Sequence, residues 1–144
     1  VISDEIYALT AFEPGQFVSM AAVYPEGTIV TGGLSKDRSS GGYRFGVGIM
    51  PVDSGDLTKE VLKVAGSTYS CVAAPIQYAA LEAYDGNGKV NRHIRDSASL
   101  NALVARQMVL LVSDIPGVKY TNPQGDFIFT SISTNIGKSS KKLV

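Results

Sequence analysis

Thr31-Gly32-Gly33-Leu34-Ser35-Lys36-Asp37-Arg38-Ser39-Ser40-Gly41-Gly42-Tyr43-Arg44-Phe45-Gly46 lies between two apolar runs, Gly27-Thr28-Ile29-Val30 before it and Phe45-Gly46-Val47-Gly48-Ile49-Met50 after it. A strand that ends in small and hydroxyl residues with a lysine at its tip aims an amine into a pocket. The glycines let backbone approach whatever is held there, and Arg44 offers a forked, permanently charged partner for a phosphate. The same letters also describe a polar hairpin with a solvated lysine. Residues outside the stretch have to separate the two readings.

Working outward, Val1-Ile2-Ser3-Asp4-Glu5-Ile6-Tyr7 begins as a short β-rich run and ends in polar groups. Asp4 and Tyr7, three apart just past a strand end, are able to reach one pocket. A carboxylate there holds a protonated ring nitrogen and a phenol hydrogen-bonds a ring oxygen. The plainer alternative is that Asp4 caps a turn and Tyr7 is a half-buried aromatic. Residues 10–27 read as an irregular excursion with turns at Phe12-Glu13-Pro14-Gly15 and Pro25-Glu26-Gly27. Strands are expected at 28–31 and 45–50, the latter ended by Pro51, which cannot donate to a ladder. If the three strands are neighbours, Asp4, Lys36 and Arg44 gather at one sheet edge.

Downstream the pattern turns helical. Leu57, Val61 and Val64 fall at i, i+4 and i+7, with Ser54 or Asp56 as N-cap and Gly66 as stop. Ser67-Thr68-Tyr69-Ser70 reads as a polar loop. Residues 72–83 read as an alanine-rich helix with Pro75 in its first turn. After a loop at Asp85-Gly86-Asn87-Gly88, residues 92–113 form the longest helical stretch, closed by Pro116-Gly117. Residues 118–121 and 127–132, around a turn at Asn122-Pro123-Gln124-Gly125, read as a β-hairpin, and 137–142 as a loose tail.

Composition narrows the class. The 144 residues suit one ordinary core, and 44% apolar with 18% charged residues argues for a folded chain. Lys plus Arg equals Asp plus Glu at 13 each, so charge gives no argument for nucleic acid or a membrane surface as partner. The single cysteine, Cys71, excludes an intrachain disulfide framework and a cysteine-cluster zinc site, and fits a reducing compartment. No apolar segment approaches membrane-spanning length. The chain starts in strand-like sequence without methionine, and the expectation is a piece of something longer.

Three weaker motifs fail on their own chemistry. Asp85-Gly86-Asn87-Gly88-Lys89 starts like a calcium loop but puts Lys89 and Val90 where an oxygen ligand and a glycine belong. Gly137-Lys138-Ser139 has Ile132 where a P-loop needs its leading glycine. His93, the lone histidine, has neither metal-ligand company nor a nucleophile elbow, and is expected on an exposed helix surface among Arg92, Arg95 and Asp96. No metal site is expected.

Taken together, Asp4-x-x-Tyr7, then Ser35-Lys36, then Arg44 before Gly46, resembles the class I/II aminotransferases of pyridoxal-phosphate fold type I. The Pro75-Ile76-Gln77-Tyr78-Ala79-Ala80 helix, the long helix and Pro123-Gln124-Gly125-Asp126-Phe127 look like later segments of that family. The resemblance implies an α/β fold: residues 1–90 as the C-terminal part of a cofactor-binding large domain, and 91–144 as an interdomain helix and the start of a small α+β domain. It implies pyridoxal 5′-phosphate as cofactor, with Lys36 as the Schiff-base lysine and the base for the substrate Cα proton. An amine does such work when burial beside positive charge makes it partly neutral. By the same resemblance, Asp4 pairs with the pyridinium nitrogen and Tyr7 with the ring 3′-oxygen, while Arg44 and Ser35 take the phosphate. The family often has a further hydroxyl three residues before the lysine, where this chain has Gly33.

The implied activity is amino-group transfer between an amino acid and a 2-oxo acid, by a homodimer in the cytoplasm. The alternatives are a carbon–sulfur lyase or decarboxylating synthase on the same cofactor, since the cofactor carries the chemistry, and a non-catalytic fragment without it. The family's earlier phosphate loop, stacking aromatic residue, asparagine and late carboxylate-binding arginine find no counterpart between Val1 and Val144. The fragment is therefore expected to be inactive alone. Because sites in this family lie at a dimer interface, the Ser67-Thr68-Tyr69-Ser70 loop is a possible contributor to a partner's site, with an ordinary helix connection as the alternative.

Overall fold

A computed structural model describes residues 1–133. Its organising unit is a three-stranded sheet in the order β1 (Ile2–Asp4), β2 (Ile29–Gly33), β3 (Gly46–Ile49). β1 runs parallel to β2, with Asp4 opposite Thr31, and β3 runs antiparallel to it, with Gly33 opposite Gly46. The β-branched Ile29, Val30 and Thr31 suit the central strand, which is paired on both sides. This arrangement places the end of β1, the exit of β2 and the entry to β3 at one end of the sheet.

A parallel pair needs a crossover, and residues 5–28 supply it. The crossover contains a 3-10 turn at Ala8–Thr10, the short helix α1 (Met20–Val23) and a second 3-10 turn at Pro25–Gly27. Glu5 fixes its course: Oε1 accepts from Ser19 Oγ at 2.9 Å and from the Met20 N–H at 3.0 Å, at the start of α1.

Three longer helices follow, and their limits correct the sequence reading. α2 spans Gly55–Thr68 and passes through Gly66 instead of stopping there. Ser67 and Thr68 form its last turn, with their hydroxyls donating to the Lys63 and Val64 carbonyls at 2.9 and 2.8 Å. The left-handed residue beyond the helix is Ser70, at φ 61, and its N–H donates to Ala65 O at 3.0 Å. The expected polar loop is thus half helix. Ser54 occupies the N-cap position, but its hydroxyl lies 3.0 Å from Thr58 Oγ1 and donates to Pro51 O.

α3 covers Ala74–Tyr84 with Pro75 in its first turn. α4 runs Gly88–Ser113 and starts earlier than the apolar spacing indicates, because Asn87 caps it: Oδ1 accepts from the Val90 N–H at 2.9 Å. α4 packs against the Ala8–Thr10 turn, with Ile94 and Ala98, one turn apart, buried.

β4 (Val118–Tyr120) pairs antiparallel with β5 (Ser131–Ser133). The hairpin is real but its turn is longer than expected, since residues 127–130 are not strand. Segment 122–126 is drawn instead onto the first part of the chain. Phe12 N–H donates to Gln124 O at 2.9 Å, Asp126 N–H donates to Thr10 O at 3.0 Å, and Ala11 bridges Gly125. Gly125 lets the two segments approach this closely, because an added Cβ would lie a tight 3.0 Å from Ala11 Cα and 3.2 Å from Thr10 O. The loose tail expected at 137–142 falls outside the described residues.

Candidate functional site

The common end of β1, β2 and β3 carries the candidate residues. Asp4 is the last residue of β1, and its Oδ1 accepts from Thr31 Oγ1 at 3.2 Å and from the Ile6 N–H at 3.4 Å. The carboxylate is therefore oriented by the strand beside it while the residue stays exposed. Tyr7 follows one turn later at the entrance to the Ala8–Thr10 turn.

β2 ends at Gly33, and the chain then folds back through a turn at 36–40. Ser39 N–H donates to Lys36 O at 3.3 Å and Ser40 N–H to Leu34 O at 3.1 Å. Lys36 Nζ lies 5.5 Å from the Tyr7 ring centroid and 5.1 Å from that of Phe127. The two rings meet edge to face at 6.2 Å, so they form an aromatic corner around the amine. Arg44 sits in the left-handed region at φ 57, and its Nη1 donates to Gly41 O at 2.9 Å. Gly41 in turn packs on Ser35: a Cβ added to it would lie 3.9 Å from Ser35 Cβ.

Gly33 stands where β2 and β3 pinch. A Cβ there would lie 2.5 Å from Phe45 O and 3.2 Å from Gly46 Cα, so this backbone has no room for the hydroxyl side chain that the resemblance suggested.

Several participants escaped the sequence reading. Asp37 is 7% exposed and pairs through Oδ2 with Arg38 Nη1; its Oδ1 is buried without a hydrogen-bond partner among the described residues. Arg38 Nε donates to Ala83 O at 2.9 Å, and its guanidinium lies 4.7 Å from the Tyr84 ring centroid. Burial raises the Tyr84 phenol above its ordinary 10.0, with nearby Arg38 opposing that shift and Asp37 adding to it. His93, exposed as expected, places Nε2 3.3 Å from Ser39 Oγ on the lysine turn. The only advance signal for Asp37 and Arg38 was an opposite-charge pair within a stretch of small residues. For Phe127 the signal was its place in Pro123-Gln124-Gly125-Asp126-Phe127, a segment that resembles the family, and nothing in it indicates a meeting with Lys36. Among the described residues no cluster of three or more His, Cys, Asp or Glu could hold a metal ion, and no helix is long and apolar enough to cross a membrane.

The family profile described as Aminotransferase class I and II matches residues 1–143. The chain belongs to that family. Among the aminotransferases it resembles is the aspartate aminotransferase of Geobacillus stearothermophilus, 29% identical over 130 residues, covering 88% of this chain and 32% of that protein. A probable N-acetyl-LL-diaminopimelate aminotransferase of Bacillus subtilis is 40% identical over 83 residues, covering 58% of this chain and 20% of its own length. In three dimensions the chain is similar to an alanine aminotransferase from Pyrococcus furiosus, with TM-score 0.81, 26% identity, and coverage of 97% of this chain and 35% of that one. The fold is that of a fold type I aminotransferase, mixed α/β, of which this chain spans about a third of the relatives' length.

Proposed function

We propose that Lys36 is the attachment point for pyridoxal 5′-phosphate, and that the complete protein transfers an amino group between an amino acid and a 2-oxo acid. The observation that supports this reading is Lys36 Nζ beside the Tyr7 ring, at the end of the sheet where β1 ends in Asp4, in a chain of the aminotransferase family. The relatives named for aspartate and alanine support amino acids as substrates. The donor set suits a phosphorylated ring aldehyde: an amine for the carbonyl, a carboxylate and a phenol for the ring, and a hydroxyl with a guanidinium for the phosphate.

In this reading the Asp4 carboxylate, already oriented by Thr31 and the Ile6 N–H, keeps a proton on the ring nitrogen. The Tyr7 phenol would donate to the ring 3′-oxygen. Ser35 Oγ and the Arg44 fork would hold the phosphate. Lys36 Nζ would take the substrate Cα proton and return one. Bound there, pyridoxal phosphate supplies an electron sink for the charge that develops at Cα. The division into residues 1–90 of a large domain and 91–144 leading into a small one, a homodimeric assembly and a cytoplasmic location belong to the same proposal.

Borohydride reduction of the complete protein loaded with cofactor tests it directly. Peptide mapping is expected to find the reduced adduct on Lys36 and none in Lys36→Ala. An adduct on another lysine overturns the assignment, and no adduct at all favours a non-catalytic role. Glutamate or alanine formed from an oxo acid supports transfer, whereas ammonia and pyruvate released from a β-substituted amino acid point to a lyase on the same residues.

A further inference from the structure

The assignment of Lys36 leaves unexplained why the next two residues are charged and buried. Asp37 and Arg38 point away from the aromatic corner toward the end of α3, with side chains 7% and 11% exposed. The guanidinium has three separate engagements: the Asp37 carboxylate, the Ala83 carbonyl at 2.9 Å and the face of Tyr84 at 4.7 Å. Ala83 lies in the last turn of α3, where carbonyls lack intrahelical donors and a cation is favoured. An ion pair between sequence neighbours ties no distant elements together. Its effect here is directional, because Asp37 keeps the fork of Arg38 aimed at α3.

The rest of the turn is held as well. Ser40 Oγ donates to Arg38 O at 2.8 Å, and Ser39 Oγ lies 3.3 Å from His93 Nε2 of α4. The turn thus has two sides. On one, Lys36 projects toward Tyr7 and Phe127; on the other, Arg38 is locked to α3.

We propose that Arg38 is a positioning residue for Lys36: by capping α3, stacking on Tyr84 and pairing with Asp37, it fixes the backbone from which the lysine amine is presented. This rests on the Lys36 reading above and extends it to residues outside the set proposed to hold the cofactor. A lysine in its place would keep the charge but not the fork, so it cannot satisfy Asp37 and Ala83 together in the same geometry.

The test uses the complete protein and the variants Arg38→Ala, Arg38→Lys and Tyr84→Phe. Without cofactor, Arg38→Ala is expected to speed amide exchange at 36–40 about tenfold while leaving the β1–β2 amides unchanged. With pyridoxal phosphate and borohydride, labelling of Lys36 is expected to slow roughly tenfold in Arg38→Ala, to recover only in part in Arg38→Lys, and to stay at the parent rate in Tyr84→Phe, which keeps the ring. The pH midpoint of the visible absorbance of the bound cofactor is expected to move in Arg38→Ala. A general loss of stability would lower the amount of folded protein without moving that midpoint.

The proposal fails if exchange at 36–40 and labelling of Lys36 stay within about twofold of the parent, or if exchange rises evenly along the chain. Should Arg38→Ala not fold, Arg38→Lys decides: slower labelling at an unchanged melting temperature supports the role, and parent-like labelling overturns it. If the parent is labelled elsewhere, the cofactor assignment falls, and the cofactor-free exchange result then decides alone whether Arg38 holds the turn.

Discussion

In the turn at 36–40, Asp37 is almost fully buried and Arg38 is fixed by a carboxylate, a carbonyl and a ring. Along α2, by contrast, Leu57, Val61, Leu62 and Val64 are 47–65% exposed, and the charged residues form two exposed pairs, Lys59 with Asp56 and Lys63 with Glu60. The two regions reverse the usual placement of polar and apolar groups. Buried charge is tolerated near Lys36 because partners within the chain offset its desolvation. The apolar face of α2 finds no comparable cover among the described residues. The charged side chains of the lysine turn therefore find partners within this chain, apart from Asp37 Oδ1, whereas the burial α2 is patterned for is not met among the described residues.

That contrast can be broken by substitution. The largest effect is expected at the buried pair: Asp37→Ala leaves Arg38 without its counter-charge and should lower the unfolding free energy of the complete protein by about 3 kcal/mol in urea denaturation. A loss no larger than that of a surface carboxylate would show that Arg38 is held by Ala83 and Tyr84 alone. Next comes the pinch before the lysine. Gly33→Ser, which adds a Cβ against Phe45 O, should cost about 2 kcal/mol by the same measurement, and should not improve retention of pyridoxal phosphate. Tighter cofactor binding in that variant would mean the strands separate readily enough to admit the hydroxyl. Smallest is Glu60→Gln on α2, which removes one exposed pair and should change stability by less than about 0.5 kcal/mol. A larger change would show that α2 is more constrained than its exposure indicates.

The candidate site was legible where local chemistry and spacing coincide. The β-branched run Ile29-Val30-Thr31 marks β2, Asp4 ends β1, and Lys36 lies three residues past the end of β2, in the turn. Legibility failed where one residue's role depends on a distant neighbour. Gly66 reads as a stop, yet Thr68 and Ser70 supply the terminating contacts farther along. Residues 127–130 have the aromatic and β-branched character of a strand, but Gly125 and Asp126 are bonded to 10–11, and the ladder resumes only at Ser131. Nothing local distinguishes Phe127 from any other aromatic; its place beside Lys36 follows from that long-range attachment.

By itself, the sequence determined most of the helices and the strands of the main sheet, the position of the lysine between two of those strands, and which charged and hydroxyl side chains lie near it in the chain. These depend on backbone preferences and side-chain chemistry that act over a few residues. Only the tertiary structure decided that β1 and β3 flank β2, that Phe127 closes the corner beside Lys36, and that Arg38 donates to Ala83 at the end of α3. The physical reason is that a strand's neighbours and a buried charge's partners are chosen by contacts between distant segments, and their energies are set only when those segments meet.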